Sequence, residues 1–191
     1  MLAAITVILM MGSTMAWFQD SKVVINTYTF GNLDVDIMHK SGEQIVAATA
    51  VSFKKYDGGL YQEEEFLFEP GATFRLEDIY IKNSGDVPLK YRLEVDRSGA
   101  TGDTELLDSM DIKMEMDGKP YDGETPQSLE ADTMSEPIQI YLHMKESAGN
   151  EYQDLTVSGV VVKVVAVQGE GIPDDEMEAA FAKAENLPSG N

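Results

Sequence analysis

The sequence predicts an all-β chain, a jelly-roll-like antiparallel β-sandwich closed by a short C-terminal amphipathic helix. Three observations carry this expectation. Four runs alternate strictly between apolar and polar residues, Gly-, Pro-, Asn- and Asp-rich clusters fall between them, and one apolar stripe near the end has helical spacing. With 191 residues the chain is long enough to bury a core of ordinary size as one domain.

The chain opens with a segment outside this pattern. Met1 to Met11 are apolar except for Thr6, and Gly12-Ser13-Thr14-Met15-Ala16 follows before the first charge at Asp20. Residues 1–16 therefore read as a signal peptide, with Thr14 and Ala16 as the small residues of a cleavage site between Ala16 and Trp17. An uncut membrane anchor is the alternative, since Met1 to Phe18 just suffices to span. No Lys or Arg precedes the apolar run, so the leader either extends upstream of Met1 or relies on its free amine. Residues 17–25 then carry Trp17, Phe18, Val23, Val24 and Ile25, an apolar set without a place in the alternations that follow.

A sandwich domain is expected over 26–168. Leu33, Val35 and Ile37 alternate with Asp34 and Asp36; Leu89, Tyr91, Leu93 and Val95 alternate with Lys90, Arg92 and Glu94. Ile112, Met114 and Met116 alternate with Asp111, Lys113 and Glu115, and Ile138, Ile140 and Leu142 complete the set. Period two gives each run one dry and one wet face. Between Phe74 and Ile81 the phase slips: Phe74 and Leu76 share one parity, Ile79 and Ile81 the other. A β-bulge at Glu77-Asp78 would return both pairs to the core. Leu155 to Val167 is apolar on both parities and is expected to form one long strand covered on both sides. Turns are signalled by Asp57-Gly58-Gly59, Glu69-Pro70-Gly71, Asn83-Ser84-Gly85-Asp86, Asp117-Gly118 and Asp122-Gly123.

The last segment, 169–191, is an acidic tail containing a helix. Met177, Ala180, Phe181 and Ala184 fall at i, i+3, i+4 and i+7 after Pro173, and Pro188 closes the pattern. Asp174, Asp175 and Glu176 suit the positive end of the helix dipole. This helix is expected to dock on the sandwich edge, with binding of a partner as the alternative.

Charge and residue inventory exclude several functions. Fourteen basic against thirty-four acidic residues leave a formal charge of −20, which repels nucleic-acid backbones and anionic lipids. Without cysteine there are no disulfides, thiolate zinc sites, iron–sulfur clusters or thiol nucleophiles. The two histidines, His39 and His143, form no H-E-x-x-H pair, and His143 sits on the polar parity of its strand as a solvated residue. There is no G-x-S-x-G. Gly169-Glu170-Gly171-Ile172-Pro173-Asp174 fails as a dinucleotide loop because an acid replaces the third glycine. Glu63-Glu64-Glu65 and the Asp34/Asp36 pair lack the surroundings of a calcium loop and read as solvated faces. No catalytic, cofactor-binding or metal-ligating residue is assigned, and no cofactor is expected.

Two segments nevertheless carry a family resemblance. Gly12-Ser13-Thr14-Met15-Ala16-Trp17-Phe18-Gln19-Asp20, followed by Asn26-Thr27-Tyr28-Thr29-Phe30-Gly31-Asn32-Leu33-Asp34-Val35, resembles the export junction and first strand of the TasA/camelysin family. Glu146-Ser147-Ala148-Gly149-Asn150-Glu151-Tyr152-Gln153, leading to Val167-Gln168, is similar to that family's A-G-N-x-Y-Q turn and final strand. Pro70-Gly71, Ile81 to Asp86 and Leu106-Leu107-Asp108 fall between them in the family's order. The resemblance spans about Gly12 to Gln168; the tail from Gly169 lies outside it.

This resemblance implies a jelly-roll protein exported through a SipW-type signal peptidase. It implies assembly into extracellular biofilm-matrix fibres at the cell surface of a Gram-positive bacterium, with itself as main partner and a minor accessory fibre protein as a further one. In that setting Trp17, Phe18, Val23, Val24 and Ile25 are the candidate self-assembly residues. A freshly cut terminus can add as a strand to the open edge of the next subunit, and a contact that does not close on itself makes a filament. The same segment could instead pair within its own sandwich. A cell-surface metallo-endopeptidase of camelysin type and a monomeric surface-binding module remain as other readings; no motif in the sequence supports the protease.

Overall fold

The computed structural model describes residues 17–18, 22–30, 33–41, 43–48, 50–57, 60–62, 69–152 and 155–185. The expected signal peptide, including Ala16, and the Glu63-Glu64-Glu65 run lie outside them. In chain order the first strands are β1 (Trp17–Phe18), β2 (Lys22–Phe30), β3 (Val35–Ser41), β4 (Gln44–Ala47), β5 (Ala50–Asp57) and β6 (Leu60–Gln62). Next come β7 (Thr73–Leu76), β8 (Ile79–Asn83), β9 (Leu89–Asp96), β10 (Thr101–Gly102) and β11 (Met110–Met116). The last are β12 (Lys119–Tyr121), β13 (Gln127–Leu129), β14 (Ile138–Met144), β15 (Thr156–Ser158) and β16 (Val161–Gln168), then the helix α1 (Asp174–Glu185).

The chain is an all-β sandwich with mainly antiparallel pairing and one C-terminal helix, as the sequence predicts. One layer runs β13-β9-β16-β2-β5. The other is centred on β14, which pairs β11 on one side and β7 then β8 on the other; β12 extends β11, and β3 and β4 extend β8. Strand β5 belongs to both layers. Its residues Ala50 to Ser52 pair β2, and Phe53 to Lys55 pair β7. A small sheet of β1, β15 and β10 stands apart.

Period two is realised where it was legible. β9 and β14 alternate between buried and half-buried residues along their regular stretches. Leu89, Tyr91 and Leu93 from one layer meet Ile79, Ile81, Ile138 and Ile140 from the other in the main core. The phase slip between Phe74 and Ile81 is a bulge by register: Arg75 pairs Tyr141 and Ile79 pairs Ile138, so four steps on one strand face three on the other. Phe74, Leu76, Ile79 and Ile81 are all fully buried as a result.

The expectation of one long strand over Leu155 to Val167 is corrected. It breaks at Gly159-Val160 into β15 and β16, which enter different sheets. Gly159 has φ +79°, and a Cβ there would strike the Gly99 carbonyl, so the break needs glycine. β16 itself is covered on both sides. Val162, Val164 and Ala166 face the main core, and Val165 and Val167 lie under Met177, Phe181 and Ala184 of α1. The helix therefore packs on a sheet face, not on an edge.

A second core at one end gathers Phe74, Leu142, Met144 and Val157 around a 3-10 turn, Thr104–Ser109, that inserts Leu106 and Leu107. Asn83 closes the opposite region. It is fully buried, and its Nδ2 donates to the carbonyls of Val87 (2.9 Å), Glu130 (3.1 Å) and Leu129 (3.4 Å) while its Oδ1 accepts from the Gly85 N–H (3.1 Å).

Candidate functional site

The sequence-assigned assembly residues fall on β1 and β2. Trp17 and Phe18 pair in parallel with Thr156 and Val157 of β15. β2 then runs continuously from Lys22 to Phe30, crossing the boundary drawn between residues 25 and 26. It lies parallel to β16, with Val24 opposite Val161, Ile25 opposite Val162 and so on to Phe30 opposite Val167. On its other side Lys22, Val23 and Val24 pair antiparallel with Ser52, Val51 and Ala50 of β5.

This is a slot, and its wall is regular. The stretch of β16 that holds β2 is itself held along its far side by β9, from Val161 opposite Asp96 to Gln168 opposite Leu89. Without β2, the main-chain groups of β16 and of the first half of β5 would be open edges. A parallel pair cannot be joined by a hairpin. β2 and β16 stand near opposite ends of the described chain, so their pairing is entirely non-local.

Polar side chains fix the rim. The Lys163 ammonium on β16 lies 3.0 Å from Glu94 and 3.7 Å from Asp96. Asp96 is held below the usual carboxylate range by hydrogen bonds from the Ser98 hydroxyl and amide, with Lys163 adding to it. Above the slot, α1 lies against both β16 and β2. It is clamped by Arg92, whose guanidinium pairs with both oxygens of Glu178 and stacks over the Phe181 ring. The pairing holds Glu178 below the usual carboxylate range. Beside the clamp is an open groove of about 620 Å³ bordered by Glu94, Asp122, Glu124 and Glu185 over Val95 and Met114.

The histidines are separately engaged. His39 Nδ1 lies 3.3 Å from a Glu77 oxygen, and His143 Nδ1 lies 2.9 Å from the Thr73 hydroxyl. His143 is half-buried on the polar parity of β14, opposite Thr73 of β7, which supplies its hydrogen-bond partner. Of the Asp34/Asp36 pair, Asp36 accepts a hydrogen bond from Ser84 (2.8 Å) and Asp34 is exposed. Among the described residues no three His, Asp or Glu side chains converge as metal ligands.

Sequence reasoning missed the Arg92 clamp and the Asn83 hub. Arg92 sits on the wet parity of its strand, and nothing local signals a helix above it. Asn83 lay inside a recognised turn signature, which carries no sign of its burial. Compared with protein-family models, with curated proteins and with solved structures, the chain matches none.

Proposed function

We propose that the protein is a secreted structural subunit that polymerises into extracellular biofilm-matrix fibres, each subunit giving its segment from Trp17 onward to the next, with β2 entering the β16–β5 slot. The carrying observation is the position of β2: a strand near the start of the described chain fills a central slot by parallel main-chain pairing, without a hairpin to hold it there. Exchange replaces that pairing by the identical pairing from a neighbour, so it costs little beyond ordering, and the offset between donor and slot propagates a filament. The family resemblance supplies the setting: export through a SipW-type peptidase that cuts between Ala16 and Trp17, a Gram-positive cell surface, and an accessory fibre protein as a further partner. The acidic surface then keeps filaments apart at low salt and lets them bundle as salt screens it.

The slot alters what removal of the segment does. Sequence alone suggests that the sandwich stands without Trp17 to Ile25, but that deletion removes all of β2's pairing with β5 and its first two pairs with β16, opening part of two strand edges at once, so the shortened chain needs a replacement strand to be stable. The chain has no cysteine, which permits a direct test. Asn26 is the register partner of Lys163. In an Asn26→Cys/Lys163→Cys variant, filaments seen by electron microscopy and then oxidised should give a ladder of covalent multimers on a non-reducing gel. Filaments that yield only internally cross-linked monomers, or protein that forms no filaments, would overturn the proposal.

A further inference from the structure

We propose that β4 is a second self-association surface, at which two copies of the chain pair edge to edge, antiparallel, with Ile45 opposite Ile45 of the second copy. β4 is held by β3 alone, from Ser41 opposite Gln44 to Met38 opposite Ala47, and among the described residues no strand pairs its outer side. All four of its residues are exposed, Ile45 at 39% and Val46 at 36%. From Gln44 to Ala47 this short edge has neither charge nor proline to protect it, in a chain of which a quarter of the residues are charged. The opposite edge differs, because β13 follows Pro126 and buries Leu129.

Charge selects a second copy as the occupant. Two chains of −20 repel over most approaches, but here each offers one cation and one anion in complementary places. Lys40, exposed on β3, is the direct register partner of Ile45, and Glu43 is exposed in the turn before β4. With Ile45 on Ile45, Glu43 of one copy falls beside Ala47 of the other, on the face that carries Lys40. Its backbone is then about 10–12 Å from that of Lys40, two strand spacings across and two residues along, a gap two long side chains can bridge. The twofold axis makes the pair twice. Slipping the register by one residue would turn Glu43 to the other face and lose both. In the proposed register Ile45 faces Ile45 and all of β4 stays paired, a β-branched contact that stabilises antiparallel sheets.

Single-cysteine variants read the register directly, since every disulfide must join two molecules. Residues directly opposite across an antiparallel pair are within disulfide reach, whereas Val46 and Val46 of the second copy would be about 8 Å apart at Cα and beyond it. Ile45→Cys should form dimers under mild oxidation at least about tenfold faster than Met134→Cys, an exposed site elsewhere, because pairing raises the effective concentration. Val46→Cys should stay with the Met134→Cys control. Adding Glu43→Lys should slow Ile45→Cys cross-linking, and adding Lys40→Glu as well should restore it. Equal rates for Ile45→Cys and Met134→Cys, faster cross-linking of Val46→Cys, or indifference to Glu43→Lys would each overturn the proposal. The Asn26/Lys163 ladder is read in a different variant, so strand exchange and edge pairing can fail separately.

Discussion

The Arg92 guanidinium lies 4.3 Å from the centre of the Phe181 ring while it chelates Glu178 one helical turn away. Three groups so arranged tie the helix to the outer face of the β9–β16 pair. Phe181 supplies the buried area, Arg92 a cation–π contact with a fork that fits a carboxylate, and Glu178 the charge. The helix in turn covers the strand that fills the slot.

Truncating the ring should therefore free the helix. Phe181→Ala removes a fully buried side chain and should cost about 3–5 kcal/mol if α1 unfolds with the rest. Arg92→Lys keeps the charge but loses the fork and the planar stack, and should cost about 1 kcal/mol. Urea unfolding measures both, and protease nicking between Gly169 and Pro173 should rise in the same order.

Acid should loosen α1 before the sandwich. Glu178 is held below its ordinary value of 4.5 by Arg92, so its contribution is complete above that value and is lost as pH falls through the lower, folded one. Hydrogen exchange of α1 amides, corrected for intrinsic rates, should accelerate below pH 4.5 in the wild type. In Glu178→Gln it should be faster at neutral pH and lack the acid step.

Asn83 should tolerate no substitution. Asn83→Ala leaves the carbonyl groups of Val87 and Glu130 and the Gly85 N–H without their partner, at a cost of about 2–3 kcal/mol. Asn83→Asp should be worse above neutral pH, because a buried carboxylate would then face those carbonyl oxygens. Midpoints of chemical unfolding at pH 5 and pH 8 separate the two effects.

The sandwich was readable because its signals are local. Each β9 residue from Leu89 to Leu93 declares its face by its own polarity, and the extra residue at Glu77-Asp78 appears as a change of parity. The α1 stripe was equally plain: Met177, Phe181 and Ala184 are buried at the predicted spacing. β16 hid its boundary, since a strand covered on both sides has no alternation to interrupt. Only the close approach of Gly159 to Gly99 shows where it starts.

Sequence by itself determined the class, the strand faces and the helix, because each depends on residues within a few positions of one another. Tertiary structure decided which strands are neighbours. β2 beside β16, Arg92 beneath Phe181 and Asn83 against Glu130 join positions far apart in the chain, and no local pattern encodes such a partner. The free outer side of β4 is of the same kind: a strand is an edge only by virtue of what the rest of the chain leaves unpaired.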